Sequence, residues 1–398
     1  MIAPTFITGA GVATVVIALF VAFLMQNDPT YPKNLVSEMM SNRRGKEVPV
    51  ADMTIIVTGS TNGLGKMIAS HLYGLGARVV VASRSISKYE DTILEIRSKY
   101  PDSVGILEFG QLDTSDLDSV RSFVKIFLAS HTELHAIVNN AGIHYISTEG
   151  DPINNLSLPM RSKQGYDLAF ATNYLGHFLL TELLIPILSK TSSFGTIVNV
   201  ASSYHYLGEG NMLFPQANNS GVESMPTAAR SDINGKYLHR ELAYGNNKLA
   251  QVLHAKELQK RLSASKSNIR VVSVCPGWVN TGILPNNFGG NVVGYLAFRV
   301  EEGILSTLFG LFESNLKGGE FLGNSENFWA KQTHVINFAT TYGLKRPLCS
   351  ALAGWLLIFQ KYSYGKMHVE PSSPDSLNND LAKSLYDWSK AVTSAYSN

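Results

Sequence analysis

A strand, a glycine-rich turn, a helix and a second strand follow one another between residues 54 and 82. The β-branched run Thr54–Thr58 is typical of a buried strand, and the turn GSTNGLG follows it directly. Glycines there let backbone approach a pyrophosphate, and the next helix offers N–H groups and its positive dipole end. This unit predicts a parallel sheet that binds a dinucleotide. The turn residues expected to contact it are Gly59, Ser60, Asn62, Gly63, Leu64 and Gly65.

The end of the second strand, Arg78 to Ala82, bears on the kind of nucleotide. An acidic residue there would bind the ribose 2′-hydroxyl of NAD, whereas a guanidinium suits the 2′-phosphate of NADP. The segment Ser83-Arg84-Ser85 contains no carboxylate and one Arg. We therefore expect NADP(H), with Arg84 as a phosphate ligand. A solvated Arg without a ligand is the alternative.

Strands and helices continue to alternate as far as residue 281, which predicts an α/β fold with a doubly wound parallel sheet. Asp113 follows one of these strands, where it would contact an adenine edge or cap the next helix. Asn140 follows another, where it would line the cofactor site or form a turn. The further strands are predicted at residues 104–112, 136–138, 195–200 and 271–274.

One amphipathic helix is predicted from Leu238 to Leu258, and it carries Tyr244 and Lys248 four residues apart. This spacing places both side chains on one face. A nearby ammonium favours phenolate over phenol, so it is expected to lower the pKa of the Tyr and let it exchange a proton near neutral pH. A surface Lys beside a half-buried Tyr is the alternative for this pair taken alone.

Two further polar residues are candidate site residues only in combination with the Tyr244 and Lys248 pair. Asn173 lies in a helix predicted from Asp167 to Ile185, and a helical Asn usually bonds water or neighbouring backbone. Ser202 follows the strand at residues 195–200. Beside Tyr244 its hydroxyl could hold a carbonyl oxygen.

The order and spacing of these segments resemble the short-chain dehydrogenase/reductase family, in its membrane-anchored, retinol-dehydrogenase-like branch. The resemblance extends from residue 53 to about 285 and implies a single Rossmann domain. The matching pieces are Thr58-Gly59-x-x-x-Gly63-x-Gly65, Asn139-Asn-Ala-Gly142, Asn173, Ser202, Tyr244-x-x-x-Lys248 and Pro276-Gly277-x-Val279-x-Thr281.

The resemblance implies a role for each of these residues. Tyr244 would be the general acid in reduction and the base in oxidation, while Lys248 would lower its pKa and bind the nicotinamide ribose. Ser202 would hydrogen-bond the substrate oxygen, and Asn173 would hold a water in a proton relay. The glycines would meet the pyrophosphate, and the remaining cofactor contacts would come from Asn140, Pro276, Gly277, Val279 and Thr281.

Residues 2–25 contain no charged side chain and are long enough to cross a bilayer as a helix. A cleaved signal peptide is disfavoured, because no basic region precedes the run and no small-x-small site follows it. Basic residues follow the run, so the bulk of the chain is expected in the cytosol as a single-pass protein. The expected membranes are the endoplasmic reticulum and the lipid droplet.

The predicted organisation is an anchor at 1–26, a polar linker at 27–50, a catalytic domain at 51–340 and a membrane-proximal or docking extension at 341–398. Residues 205–236 form an insertion relative to the family, which would be a lid or a surface for a partner protein. Apolar residues at 291–312 would form a lid for a lipophilic substrate or face the core. Residues 348–359 are too short to span a bilayer and would lie at the membrane interface or pack as a buried helix. Residues 380–392 are predicted as a docking helix.

Composition excludes other classes. A net charge of +2 gives no reason to expect nucleic acid, and two Cys without metal-ligand spacing predict neither a disulfide framework nor a metal. The sequence therefore predicts an NADP(H)-dependent oxidoreductase that interconverts a carbonyl and an alcohol on a lipophilic substrate of the retinoid, sterol, long-chain aldehyde or polyprenoid type. The alternative is a non-catalytic scaffold or regulatory subunit of a membrane lipid-metabolising complex.

Overall fold

The computed structural model describes residues 33–144, 160–191, 194–210, 240–281, 297–325, 364–370 and 372–397. Three predictions therefore fall outside the described residues. They are the anchor at 1–26, the greater part of the insertion at 211–236 and the apolar segment at 348–359.

One sheet runs through the described part of the chain, with eight strands in the order β3-β2-β1-β4-β5-β6-β7-β8. Neighbours from β3 through β7 pair in parallel, and β8 pairs antiparallel to β7. The predicted doubly wound sheet is confirmed, and its order reverses between β1 and β4, where such sheets bind ligands. The strands are β1 Thr54–Thr58, β2 Arg78–Ser83, β3 Ile106–Gln111, β4 Ala136–Asn139, β5 Gly195–Val200, β6 Ile269–Val274, β7 Phe321–Ser325 and β8 Tyr364–Glu370.

Helices cover both faces of this sheet, because side chains alternate along each buried strand. Ile56 and Ile197 face a cluster with α4, α5, α6 and α9, whereas Ile55 and Val198 face a cluster with α1, α2 and α8. The helices are α1 Lys33–Ser41, α2 Gly63–Gly74, α3 Ile86–Lys99, α4 Leu117–Ser130, α5 Leu168–Thr191, α6 Arg240–Ala264, α7 Val300–Gly303, α8 Leu305–Phe312 and α9 Asn379–Thr393.

Helix α5 runs through the centre of one face. Asp167 caps it, with its carboxylate accepting from Phe170 N at 2.8 Å, and residues 171–175 form a single π-helical turn. Of the helices that the structure describes, α5 alone has the length and apolar composition to cross a membrane, but 72% of its apolar window is buried inside the fold. It therefore serves as a core helix here.

The segment predicted as a polar linker is structured from residue 33 onward. Helix α1 buries Val36 and Met39 against the core. Arg44 then donates from its guanidinium to Asn268 O at 2.6 Å, and its backbone N donates to Phe312 O at 2.6 Å. Asn268 directly precedes β6, so this segment docks at the amino edge of the sheet, opposite the crevice.

The C-terminal part also belongs to the fold, beyond the predicted boundary at residue 340. Strand β8 extends the sheet, and α9 packs on α5 and α6 close to the predicted bounds. Side-chain hydrogen bonds join α9 to α5: the Tyr174 and Ser389 hydroxyls lie 2.8 Å apart, Tyr386 donates to Glu182 Oε1 at 2.8 Å, and Lys390 donates to Glu182 Oε2 at 2.6 Å.

The apolar residues predicted either as a lid or as core can be placed where the structure describes them. Leu305, Leu308 and Phe312 of α8 are all buried in the core cluster. The core-facing alternative therefore holds for residues 297–312.

Candidate active site

The glycine turn after β1 is a close-packed backbone surface. Gly59 has a φ of +64°, and a Cβ added there would lie 2.8 Å from Ala141 Cα. A Cβ on Gly65 would overlap both Gly59 O and Asn140 Nδ2. Side chains are excluded at both positions, so α2 begins with its backbone N–H groups close to the crevice.

Of the other turn residues, one lines the crevice and the rest stabilise the turn or the start of α2. Gly63 faces across the crevice, since a Cβ there would lie 3.6 Å from the Thr281 side chain. Asn62 caps α2 by accepting from Gly63 N at 2.8 Å. Ser60 is fully buried and donates to Val57 O at 2.6 Å, and Leu64 packs against the core. The side chains of Ser60 and Leu64 therefore support the turn.

Asn140 joins the ends of β1 and β4. Its side chain donates to Thr58 O at 2.8 Å, and its backbone N donates to Thr58 Oγ1 at 2.9 Å. Thr58 Oγ1 also lies 2.8 Å from His177 Nε2, while His177 Nδ1 lies 3.0 Å from Asn173 O. Burial lowers the pKa of His177 to about 4, so a neutral imidazole connects the turn to α5. No local pattern in the sequence predicts this contact between Thr58 and His177.

Arg84 and Asp113 follow the ends of β2 and β3. Arg84 is exposed, two residues after Ala82, whose carbonyl accepts from Gly59 N at 2.8 Å. Asp113 accepts from Ser115 N at 2.9 Å and from Ser115 Oγ at 2.7 Å. Its carboxylate therefore shapes the turn before α4. The alternative that Asp113 caps this helix is wrong, because Asp116 is the N-cap.

Lys248 is buried beside the carboxyl end of β5. Its ammonium donates to Val200 O and to Gln251 Oε1, each at 2.9 Å. It lies 5.4 Å from the ring centroid of Tyr244. Burial lowers the pKa of Lys248 to about 7, so the charged and neutral forms are similarly populated near neutral pH. Gln251, one turn along α6, is a site residue that the sequence prediction missed.

Tyr244 is enclosed by two other rings. His144 stacks on it with centroids 4.6 Å apart, and Tyr204 meets it edge-on at 5.5 Å. Burial, with Tyr204 and Cys275 nearby, raises the pKa of Tyr244 above 10.0. The prediction that Lys248 lowers this pKa is therefore wrong for this structure, because desolvation of the phenol is the larger effect.

Ser202 lies at the start of a 3₁₀ helix, Ser203–Leu207, that packs against α6. Its Oγ accepts from Tyr204 N at 3.2 Å, which leaves the hydroxyl hydrogen available for a substrate oxygen. Tyr204, two residues on, supplies the ring that contacts Tyr244. Buried Cys275 accepts from Ser203 N at 3.2 Å and fixes the turn to the end of β6.

Asn173 lies in the π-helical turn of α5 and clamps the loop after β4. Its Oδ1 accepts from Ile143 N at 2.8 Å, and its Nδ2 donates to Ile143 O at 2.9 Å. A Cβ on Gly142 would lie 3.4 Å from Asn173 Oδ1 and 3.8 Å from Lys248 Nζ. The loop backbone thus lies between the side chains of Asn173 and Lys248. Both the oxygen and the nitrogen of the Asn173 side-chain amide form hydrogen bonds with this loop.

The segment from Pro276 to Thr281 forms the far wall. Gly277 has a φ of +80°, and Asn280 N donates to Phe298 O at 3.0 Å. Val279 is buried and supports this wall, whereas Thr281 lies near Gly63 across the crevice. The described ranges contain no cluster of His, Cys, Asp and Glu that could hold a metal ion.

The amino-acid sequence of this chain is similar to those of known dehydrogenases. Residues 53–237 match the family described as short chain dehydrogenase. Polyprenol dehydrogenase from Homo sapiens is 32% identical over 299 residues, which cover 72% of this chain and 81% of that protein. Retinol dehydrogenase 12 from Bos taurus is 32% identical over 243 residues, which cover 61% of this chain and 66% of that protein.

Among solved structures, a protein from Mycobacterium Paratuberculosis superposes with a TM-score of 0.56 at 24% identity. The match covers 87% of this chain and 97% of that one. At this level of identity the likeness bears on the fold alone.

Proposed function

Because the chain belongs to the short-chain dehydrogenase family, we propose that it is an NADP(H)-dependent oxidoreductase acting on a carbonyl/alcohol pair of a lipophilic molecule. One observation carries this proposal. The buried Lys248 lies one helical turn from Tyr244, next to the Ser202 turn, at the carboxyl edge of a sheet with a glycine turn.

The crevice residues fit a dinucleotide. Gly59 and Gly65 leave backbone where a side chain would block approach, and the amino end of α2 suits a pyrophosphate. Exposed Arg84, with no carboxylate at the end of β2, suits a 2′-phosphate and supports NADP(H) over NAD(H). Asn140, Pro276, Gly277 and Thr281 would complete the site.

A bound nicotinamide would supply or accept the hydride, and the protein handles the proton. In reduction, Ser202 Oγ would donate a hydrogen bond to the carbonyl oxygen, and the Tyr244 hydroxyl would transfer its proton to that oxygen as the alcohol forms. The raised pKa of Tyr244 keeps the phenol protonated at neutral pH, which is the state that a general acid needs. Lys248, when protonated, would stabilise the resulting phenolate.

The substrate class is proposed from the relatives. Retinol and polyprenols are both apolar isoprenoid alcohols, so a long isoprenoid alcohol or aldehyde is the first candidate here. A lipophilic substrate is consistent with attachment to a membrane through residues 2–25, which we propose as a single span with the catalytic domain in the cytosol.

The test is oxidation of NADPH by the purified full-length protein in detergent, against a panel of dispersed aldehydes and ketones that includes all-trans-retinal and farnesal. Tyr244→Phe is the blank, because it removes only the hydroxyl that carries the proton. We expect turnover that is lower by orders of magnitude in the Phe protein, with NADPH binding retained. Equal turnover in the two proteins would exclude Tyr244 as the acid.

A further inference from the structure

The turn that carries Ser202 is tied to the C-terminal segment by one buried side chain. His205 is fully buried, and its Nε2 accepts from Ser373 N at 3.1 Å. Since Nε2 accepts a backbone hydrogen, the ring proton must be on Nδ1, which donates to Ser202 O at 2.8 Å. The imidazole thus bridges the backbone of Ser202 to a residue 171 positions away in the sequence.

Burial keeps this bridge neutral. It lowers the pKa of His205 to about 3, so the ring is uncharged across the physiological range. Both ring nitrogens are used, and the ring packs against Phe321 of β7 with centroids 4.4 Å apart. A ring held on three sides in one tautomer has little freedom to turn.

Two other hydrogen bonds join the C-terminal segment to the end of the Ser202 turn and to helix α6. Gly210 N donates to Asp375 Oδ2 at 2.6 Å, and Lys256 Nζ donates to Ser372 Oγ at 2.6 Å. Residues 374–377 of this segment form a 3₁₀ helix that leads into α9. The C-terminal segment therefore contacts the turn both at its centre and at its end.

We propose that His205 is a positioning residue for the reaction, through which the C-terminal segment at 372–377 sets the place of the Ser202 hydroxyl. This inference rests on the proposed function. Ser202 Oγ is aimed by the turn backbone, because its own partner is Tyr204 N within that turn. Releasing Ser202 O would let the hydroxyl move relative to Tyr244, while the glycine turn that binds nucleotide lies on other strands.

The sharpest test removes the backbone N–H group that donates to His205. Ser373 has a φ of −57°, which proline adopts, so Ser373→Pro deletes the N–H that His205 accepts. Ser373→Ala keeps that N–H and is the matched control. We expect kcat with NADPH and the most active panel aldehyde to fall about 10- to 100-fold in Ser373→Pro, a range typical of misplaced catalytic groups. The Ala protein should retain the wild-type kcat.

A second pair of variants covers the case in which Ser373→Pro fails to fold. In His205→Asn the amide Nδ2 takes the place of ring Nδ1 and still donates to Ser202 O, whereas His205→Ala removes the donor. Neither variant offers an acceptor to Ser373 N, so we expect kcat to fall about 10- to 100-fold in both, as in Ser373→Pro. The Kd of NADPH should be the same in all four variants, because a positioning role leaves the nucleotide crevice unchanged.

Three results would overturn the inference. Equal kcat in Ser373→Pro and Ser373→Ala, or a wild-type kcat in His205→Asn, would show that the bridge does not position Ser202. Parallel losses of kcat, NADPH affinity and melting temperature would assign the bridge to stability alone. A wild-type protein that binds NADPH but reduces no substrate would instead remove the proposed function, and this inference with it.

Discussion

Lys248 carries a titratable amine, and only 4% of the residue's surface is exposed to solvent. Its two described partners, Val200 O and Gln251 Oε1, are neutral acceptors. They satisfy N–H groups but give little compensation for a buried positive charge, which is why the pKa falls. The protonation state of this site is thus decided by burial more than by any counter-ion.

A stability measurement tests that origin. The folded pKa of about 7 lies below the ordinary 10.5, so between these values the unfolded chain binds one more proton than the folded chain. The free energy of unfolding should therefore increase with pH across this window. Relative to Lys248→Met, the nucleotide-free wild type should gain up to about 1.4 kcal/mol per pH unit. Urea unfolding at pH 7, 8.5 and 10 would measure the difference, and a difference constant with pH would contradict it.

Arg84 is the residue on which the choice of nucleotide depends. We expect Arg84→Ala to weaken NADP(H) binding about 10- to 100-fold, as for the loss of a charge-assisted hydrogen bond, and to leave NAD(H) binding nearly unchanged. Fluorescence titration with both nucleotides gives the two Kd values. Arg97→Ala, an exposed Arg on α3, controls for the loss of surface charge. Equal losses for both nucleotides would remove the 2′-phosphate contact.

Helix α9 is held to α5 by a hydroxyl pair whose two members should respond differently to substitution. Ser389→Ala leaves the buried Tyr174 hydroxyl without its partner, at a cost of about 1–3 kcal/mol. Tyr174→Phe should cost less, because the Ser389 hydroxyl still bonds Leu385 O at 2.8 Å. Denaturant unfolding would compare the two with Ser394→Ala, an exposed Ser. A larger loss in Tyr174→Phe than in Ser389→Ala would contradict this order.

Elements with strong local signals were predicted well. The β-branched runs of β1 and β5 have the predicted bounds, and α6 carries Tyr244 and Lys248 on one face as their spacing indicated. Strand β7 has the sequence FLGNS, in which Gly and Asn disfavour a strand, and it forms by pairing with β6 and β8. Contacts such as His205 with Ser373, and the burial that raises the pKa of Tyr244, depend on distant segments, so no local pattern could predict them.

At the scale of the whole molecule, the described residues form one unit with docked ends. Helix α1 and Arg44 hold the N-terminal side, so a protein that starts at Asn27 should keep the fold. We expect this shortened protein to move from the membrane fraction to the soluble fraction, because it lacks the uncharged residues 2–25. Fractionation after alkaline washing would measure it. Retention on membranes would indicate a second attachment, with residues 348–359 as the first segment to delete.

The buried imidazoles have a consequence for where such a protein can persist. Burial holds the pKa of His177 near 4 and that of both His205 and His254 near 3, against 6.5 in an unfolded chain. Between pH 6.5 and about 4 these three side chains therefore take up three protons in the unfolded chain that they do not take up in the folded chain. Each drop of one pH unit would shift the equilibrium toward unfolding by up to about 4 kcal/mol, a large part of a typical domain's stability. These three imidazoles therefore make the fold less stable as the pH falls below 6.5.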